Sequence, residues 1–153
     1  MKYNAFPTQE VQAIQRSVEH TTAIRKTATD LAARLHTLFE QRHPKSKWDV
    51  EIDVSDVDCL KFKTPYGPAQ ARLQLFIEGA EVNGRYLIER QSTDSYGRPL
   101  WQEVWAFQIS PHGAITHGDA GECCFEDDQF DEAGKIGYLA MSIVYAIAKT
   151  DQR

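Results

Sequence analysis

Residues 71–90 read ARLQLFIEGAEVNGRYLIER, and this stretch decides the fold. Ala71, Leu73, Leu75 and Ile77 alternate with Arg72, Gln74 and Phe76, the period-two pattern of a strand with one buried face. Tyr86 and Ile88 continue the alternation beyond Asn83-Gly84, a dipeptide that favours a two-residue type I′ hairpin turn. Pairing Val82 with Arg85 sets residue 77 opposite 90 and residue 79 opposite 88. Tyr86 and Ile88 then share the face of Leu73, Leu75 and Ile77, so register and pattern agree. The unit is an antiparallel hairpin.

Further strands flank it. In residues 48–54, Trp48, Val50, Ile52 and Val54 alternate with Asp49, Glu51 and Asp53, and a turn at Ser55-Asp56 follows. Leu60 and Phe62 alternate with Lys61 and Lys63, which would pair with Asp49 or Glu51 across a hairpin. Pro65, Gly67 and Pro68 make the next loop. After a turn over residues 95–99, Trp101, Trp105, Phe107 and Ile109 line one face of another strand. Pro111-His112-Gly113 turns again, before a short edge strand from Ala114 to Thr116.

Helical patterns close both ends. Thr8 is a plausible cap for a helix running to about Arg42. Val11, Ile14, Val18, Thr21, Thr22, Ala28, Leu31, Leu35, Leu38 and Phe39 recur at helical steps. His43-Pro44 is the expected stop. A helix of that length would be roughly 50 Å long, so a break is expected, with the β-branched stretch 21–24 as its site. The last helix starts near residues 128–131, where acids suit a helix N-terminus. Ile136, Leu139, Ala140, Ile143, Val144 and Ile147 give it an apolar face, and its small residues suit a buried central position. The fold class is therefore α+β: a long N-terminal helix, an antiparallel meander of about five or six strands, and a C-terminal helix packed on the sheet. Its 153 residues suit a single domain, 1–153, able to fold without disulfides or metal. The element order resembles cystatin-like and secretion-chaperone-like folds. That resemblance covers no motif and transfers no residue.

Charge and cysteines bound the function. The net charge is −5. Residues 1–47 carry eight Lys/Arg against four Asp/Glu, residues 48–118 six against ten, and residues 119–153 three against eight. Asp119, Glu122, Glu126, Asp127, Asp128, Asp131 and Glu132 fall within fourteen residues with no Lys or Arg among them. Such asymmetry speaks to partners and not to fold. Cys59, Cys123 and Cys124 are an odd set with two adjacent, which reads as reduced thiols in a cytoplasmic setting. No apolar run reaches the roughly 20 residues a bilayer needs, and the N-terminus lacks a basic, apolar, cleavable leader.

Chemical motifs are sparse. His112, His117, Asp119, Cys123 and Cys124 are close in sequence, but no C-x-x-C spacing marks a zinc site, and no metal or cofactor is expected. Acidic stretches beginning at Asp53 and Asp127 lack the sixth-position glycine and twelfth-position glutamate of a calcium loop. There is no G-x-S-x-G, no P-loop and no G-x-G-x-x-G, which leans against an enzyme and leaves catalytic residues unassigned. A sequence pI near 5.5 makes nucleic acid an unpromising partner. The preferred expectation is a non-catalytic protein-binding module: a small acidic inhibitor, adaptor or chaperone-like accessory protein. Its partner would be another protein with a basic surface, and homo-oligomers stay open. The expected contact residues are Glu122, Glu126, Asp127, Asp128 and Asp131, with Tyr96 and Trp101 as aromatic anchors. The alternative is a small-molecule or enzymatic pocket between sheet and helices, with Arg90, Gln91 and Glu103 as candidate polar groups.

Overall fold

The structure, a computed structural model, describes residues 2–132 and 134–149. Asp151 and Arg153, counted in the charge of the last third, lie outside them. The chain runs α1 (Thr8–Val11), a 3₁₀ turn (Gln12–Arg16), α2 (Ser17–Glu40) and α3 (Arg42–Trp48). Seven strands follow: β1 (Glu51–Asp53), β2 (Cys59–Thr64), β3 (Gly67–Glu78), β4 (Glu81–Thr93), β5 (Pro99–Ile109), β6 (Ala114–His117) and β7 (Phe125–Glu126). A 3₁₀ turn (Asp127–Gln129) leads to α4 (Lys135–Ala148). The sheet is one curled antiparallel meander in the order β1 to β7. The α+β expectation holds, with one strand more than its upper count. The extra strand is the two-residue β7, inside the acidic segment, too short for periodicity to reveal.

One sheet face is covered by helices. Ile24, Leu31, Leu35 and Phe39 of α2 and Leu139, Ile143 and Ile147 of α4 pack with Leu60, Phe62, Ala71, Tyr86, Ile88, Phe107 and Ile115 of the strands. Each burial removes apolar area from water, worth roughly 1.5–3 kcal/mol per large aliphatic side chain. The other sheet face carries no helix of the described residues.

The central hairpin differs in its turn. Glu78 pairs with Glu81, Leu75 with Gly84 and Leu73 with Tyr86, so the loop is Gly79-Ala80 and not Asn83-Gly84. Gly79 has φ +63, the glycine-first pattern of a type II′ turn. The register has moved by an even number of residues, so every side chain keeps its expected face. Gly84 lies inside β4 with ordinary extended φ, and its lack of a side chain has a packing reason. A Cβ there would stand 2.6 Å from Ile24 Cγ2 of α2.

Four further expectations change. The N-terminal helix breaks at Gln12–Arg16, not at residues 21–24, which α2 passes through unbroken. The 3₁₀ turn resets the helical phase, and Val11, Ile14 and Val18 are exposed while Ala13 is buried. Residues 42–48 form a helix: Gln41 turns extended, and Pro44 sits in the first turn of α3, where a missing N–H costs little. Trp48 and Val50 still pack on the core, and Glu51 stands opposite Lys63 as expected, but Asp53 and not Asp49 stands opposite Lys61, because Asp49 ends α3 in the left-handed region. Finally, a bulge at Val104 leaves Ile88 paired with Trp105 but Glu89 with Glu103. That slip turns Trp101 to the face opposite Trp105, Phe107 and Ile109. α4 begins at Lys135, after the acids, and it is only half covered.

Candidate binding surfaces

The expected contact residues fall on two separate surfaces. The first is the acidic segment. Phe125 and Phe130 are buried edge-to-face with centroids 5.8 Å apart, and they anchor it. The backbone N–H of Glu126 donates to Gln129 Oε1 at 2.9 Å, while the Glu126 side chain accepts from the Gln129 N–H, a reciprocal capping box. Gly113, at φ +86, lies under Asp127, and a Cβ there would stand 2.5 Å from that carboxylate. Two acids find cations distant in sequence. Asp131 pairs with Arg34 of α2, and Asp119 takes Arg85 on both oxygens at 2.7 and 2.9 Å. Glu122, Glu126, Asp127 and Asp128 are exposed, with no ion pair among the described residues.

The second surface is the tip of the β4–β5 arm. Asp94 accepts the backbone N–H of Tyr96 at 2.8 Å and of Arg98 at 2.9 Å, and the Arg98 Nε at 3.0 Å. The Arg98 backbone bond comes first among the causes that hold its carboxyl below the usual range. Arg98 also covers the Tyr96 ring at 5.2 Å. Tyr96 is 81% exposed and Trp101 42%. β6 pairs with β5 only at residues 107–109, at the far end from this tip. Acids and aromatics therefore do not form one patch.

Of the candidate pocket residues, Arg90 and Glu103 line one small cavity of about 140 Å³ between β4, β5 and α4, with Gln102, Val104, Ala146 and Lys149. Arg90 faces the helices, where its Nη1 donates to the Ile147 and Lys149 carbonyls at 3.0 and 3.1 Å and so caps α4. In the ladder Gln91 and Glu103 alternate with Arg90, and Gln91 does not line the cavity. A roomier groove, of about 400 Å³, opens between α2 and α4 beside Arg34, Leu38 and Phe130. The histidines and thiols also separate. His112 meets Glu81 at 2.9 Å, His117 stacks on Tyr138 at 5.4 Å, and Cys123 Sγ donates to the Phe125 carbonyl. Among the described residues no group of three or more His, Cys, Asp or Glu is placed to hold a metal ion.

Two arrangements escaped the sequence reading. On the helix-free face, Glu89 is only 6% exposed. Arg72 grips both its oxygens, Gln70 donates to it at 2.9 Å, and Cys59 Sγ donates to Gln70 Oε1. The Arg72 hydrogen bond holds the Glu89 carboxyl below its usual value. Burial pushes the Cys59 thiol up, with Asp56 a lesser cause, and pushes the Tyr86 phenol up; its hydroxyl donates to the Val57 carbonyl at 2.6 Å. Burial and the hydrogen bond to Gln70 keep the Cys59 thiol protonated, the form that is a poor nucleophile. The second arrangement is the outward face of α4, with Tyr138, Met141 and Tyr145 exposed. Its signal, the absence of charge from Ile136 to Ala148, was open to view but matched a wholly buried helix equally well.

Comparison with protein families, with curated proteins and with solved structures finds no match. The likeness in element order to cystatin-like and secretion-chaperone-like folds therefore carries no argument. No helix of the described residues is long and apolar enough to cross a membrane.

Proposed function

We propose that this chain is a non-catalytic protein-binding module, an acidic inhibitor, adaptor or chaperone-like accessory protein, acting in the cytoplasm on a partner with a basic surface. The observation that supports this most directly is the stiffened arm that presents Tyr96 and Trp101. Rigid exposed aromatics lose little side-chain entropy on binding and are the residue types that dominate interface energies. The unpaired carboxylates of residues 122–128 would add long-range attraction and faster association. The test is affinity for whatever partner the tagged wild-type chain captures from its native host. Tyr96→Ala and Trp101→Ala should each weaken that partner's binding at least ~10-fold, the size of a hot-spot loss. Glu126→Gln, Asp127→Asn and Asp128→Asn together should lower the salt dependence of association. Unchanged affinity and salt dependence in all of these, with unchanged melting, would overturn the proposal.

A further inference from the structure

The outward face of α4 is built unlike that of α2. Ile136, Leu139, Ala140, Ile143, Ala146 and Ile147 are buried toward the sheet. On the other side Tyr138, Met141 and Tyr145 are 62, 48 and 67% exposed. No charged residue occurs from Ile136 to Ala148. α2 covers the same sheet, and its outward face carries Arg25, Lys26, Asp30, Arg34 and Glu40. A helix apolar all round belongs in an interior, yet the sheet covers only one half of α4. The exposed half also has a period. Gly134, Tyr138, Met141, Tyr145 and Ala148 recur at steps of four, three, four and three, the spacing by which two helices form a knobs-into-holes seam.

We infer that this seam is covered by the same seam of a second copy of the chain, α4 against α4 antiparallel about a twofold axis. Two features select that occupant. The first is self-complementarity, which an isologous contact requires. Antiparallel pairing about a point between Met141 and Tyr145 sets Met141 against Tyr145 of the second copy and Tyr138 against its Ala148. Each large ring then meets a smaller side chain, four layers deep. Tyr138 is held for this by its stack on His117, at an interplanar angle of 8°.

The second feature is charge. The N-terminal end of α4 adjoins Asp127, Asp128, Asp131 and Glu132, of which only Asp131 has an ion-pair partner among the described residues. The C-terminal end carries Lys149 and the Arg90 guanidinium bound to the last carbonyls. Antiparallel packing brings the acidic end of each copy to the basic end of the other. Lys135 and the Arg34 paired with Asp131 share the acidic end, two cations among four carboxylates, so that end stays negative. Parallel packing would set acids against acids. The seam is about 20 Å long and its area is below that of a standard interface, so the dimer is weak, with Kd on the order of 1–100 µM.

The test is the mass of the purified full chain by sedimentation equilibrium across that concentration range, at low and high salt. Wild type should shift with concentration from the 17.4 kDa chain toward twice that mass, less so at high salt. Met141→Glu, which sets two carboxylates beside the axis, should keep the chain monomeric with unchanged circular dichroism. Tyr145→Lys is the second variant should Met141→Glu fail to fold. Glu132→Lys should weaken the dimer, and Glu132→Lys with Lys149→Glu should restore it, which also checks the orientation. A wild-type chain monomeric throughout, or a dimer indifferent to both seam variants, overturns the inference. The readout uses the chain alone, so its failure leaves the partner-binding proposal standing, and the failure of that proposal leaves this one.

Discussion

The two faces of β4 meet different surroundings, and both are buried at its centre. On the helix face Val82, Gly84, Tyr86 and Ile88 are sealed by α2 and α4. On the other face Leu87 and Glu89 are also almost fully covered, although no described helix lies over them. Their cover comes from within the sheet. It curls, the bulge at Val104 sharpens the curl, and Arg72, opposite Leu87 in the ladder, reaches diagonally to Glu89. One face excludes water by apolar packing, the other by long charged side chains laid along the strands. Burial on the first face tolerates no added atom, whereas burial on the second depends on a charge keeping its partner.

The largest expected effect is on the helix face. Gly84→Val puts a branched side chain where a single Cβ already stands 2.6 Å from Ile24 Cγ2 and 3.4 Å from Leu73 Cδ1. Overpacking of this kind costs about 3 kcal/mol, a fall in Tm of roughly 6–12 °C for a chain of this size. Thermal unfolding followed by circular dichroism reads it directly. An unchanged Tm would mean that α2 does not press on β4 at this point.

Next is the network on the other face. Arg72→Ala leaves the Glu89 carboxylate buried with Gln70 as its one remaining side-chain donor among the described residues. Losing one partner of a fully buried pair costs 3–5 kcal/mol, but Arg72 is itself nearly half exposed, so about 1–3 kcal/mol is expected at neutral pH. The pH dependence follows from the sign of the shift. Arg72 holds the Glu89 carboxyl below its usual 4.5, so the folded state binds fewer protons than the unfolded chain. The stabilisation is present above that pH and is lost as the pH falls through the lower folded value. Wild type and Arg72→Ala should therefore converge in acid, as measured by urea midpoints from pH 7 down to about 3. A constant gap would mean that Arg72 acts through packing alone.

Gly79→Ala comes third. Gly79 has φ +63 in open space, so a Cβ meets strain and no clash, at a cost of about 1 kcal/mol. The same change at Asn83, interior to β4, carries no such penalty. The pair of Tm values distinguishes the Gly79-Ala80 turn from one at Asn83-Gly84.

That turn shows what the sequence can and cannot reveal. Alternation from Ala71 to Ile88 assigned every side chain its face, because faces depend only on parity. It could not choose between two glycine-bearing turns separated by an even number of residues. The choice belongs to α2, since only the observed register places Gly84 beneath Ile24. Trp101 was misplaced for the opposite reason: one bulged residue changes parity, and nothing local in residues 101–105 announces it. Of the candidate surfaces, the acids and Tyr96 were legible as charge and as a turn residue. The bonds from Arg34 and Arg85 were not, because each joins residues 97 and 34 positions apart in sequence.

The smallest effect concerns the edge of the helix face and separates the two faces by pH. His117 stacks on Tyr138, stands edge-on to Trp105 and Phe125, and its Nε2 has no hydrogen-bond partner among the described residues. Burial without an acceptor pushes the imidazole below its usual 6.5. Between the two values the unfolded chain binds a proton that the folded chain resists, so stability falls as the pH drops below about 6.5. One proton contributes at most about 1.4 kcal/mol per pH unit, and the slope vanishes below the folded value. His117→Phe keeps a ring on Tyr138 and removes the titration. Its urea midpoint should change less than wild type's between pH 7 and 5, while the acid response from Glu89 below about pH 4.5 stays as it was. If the His117→Phe curve runs parallel to wild type through that upper window, the imidazole is not held neutral by its surroundings. The two faces of the sheet would then respond to acid through carboxylates alone.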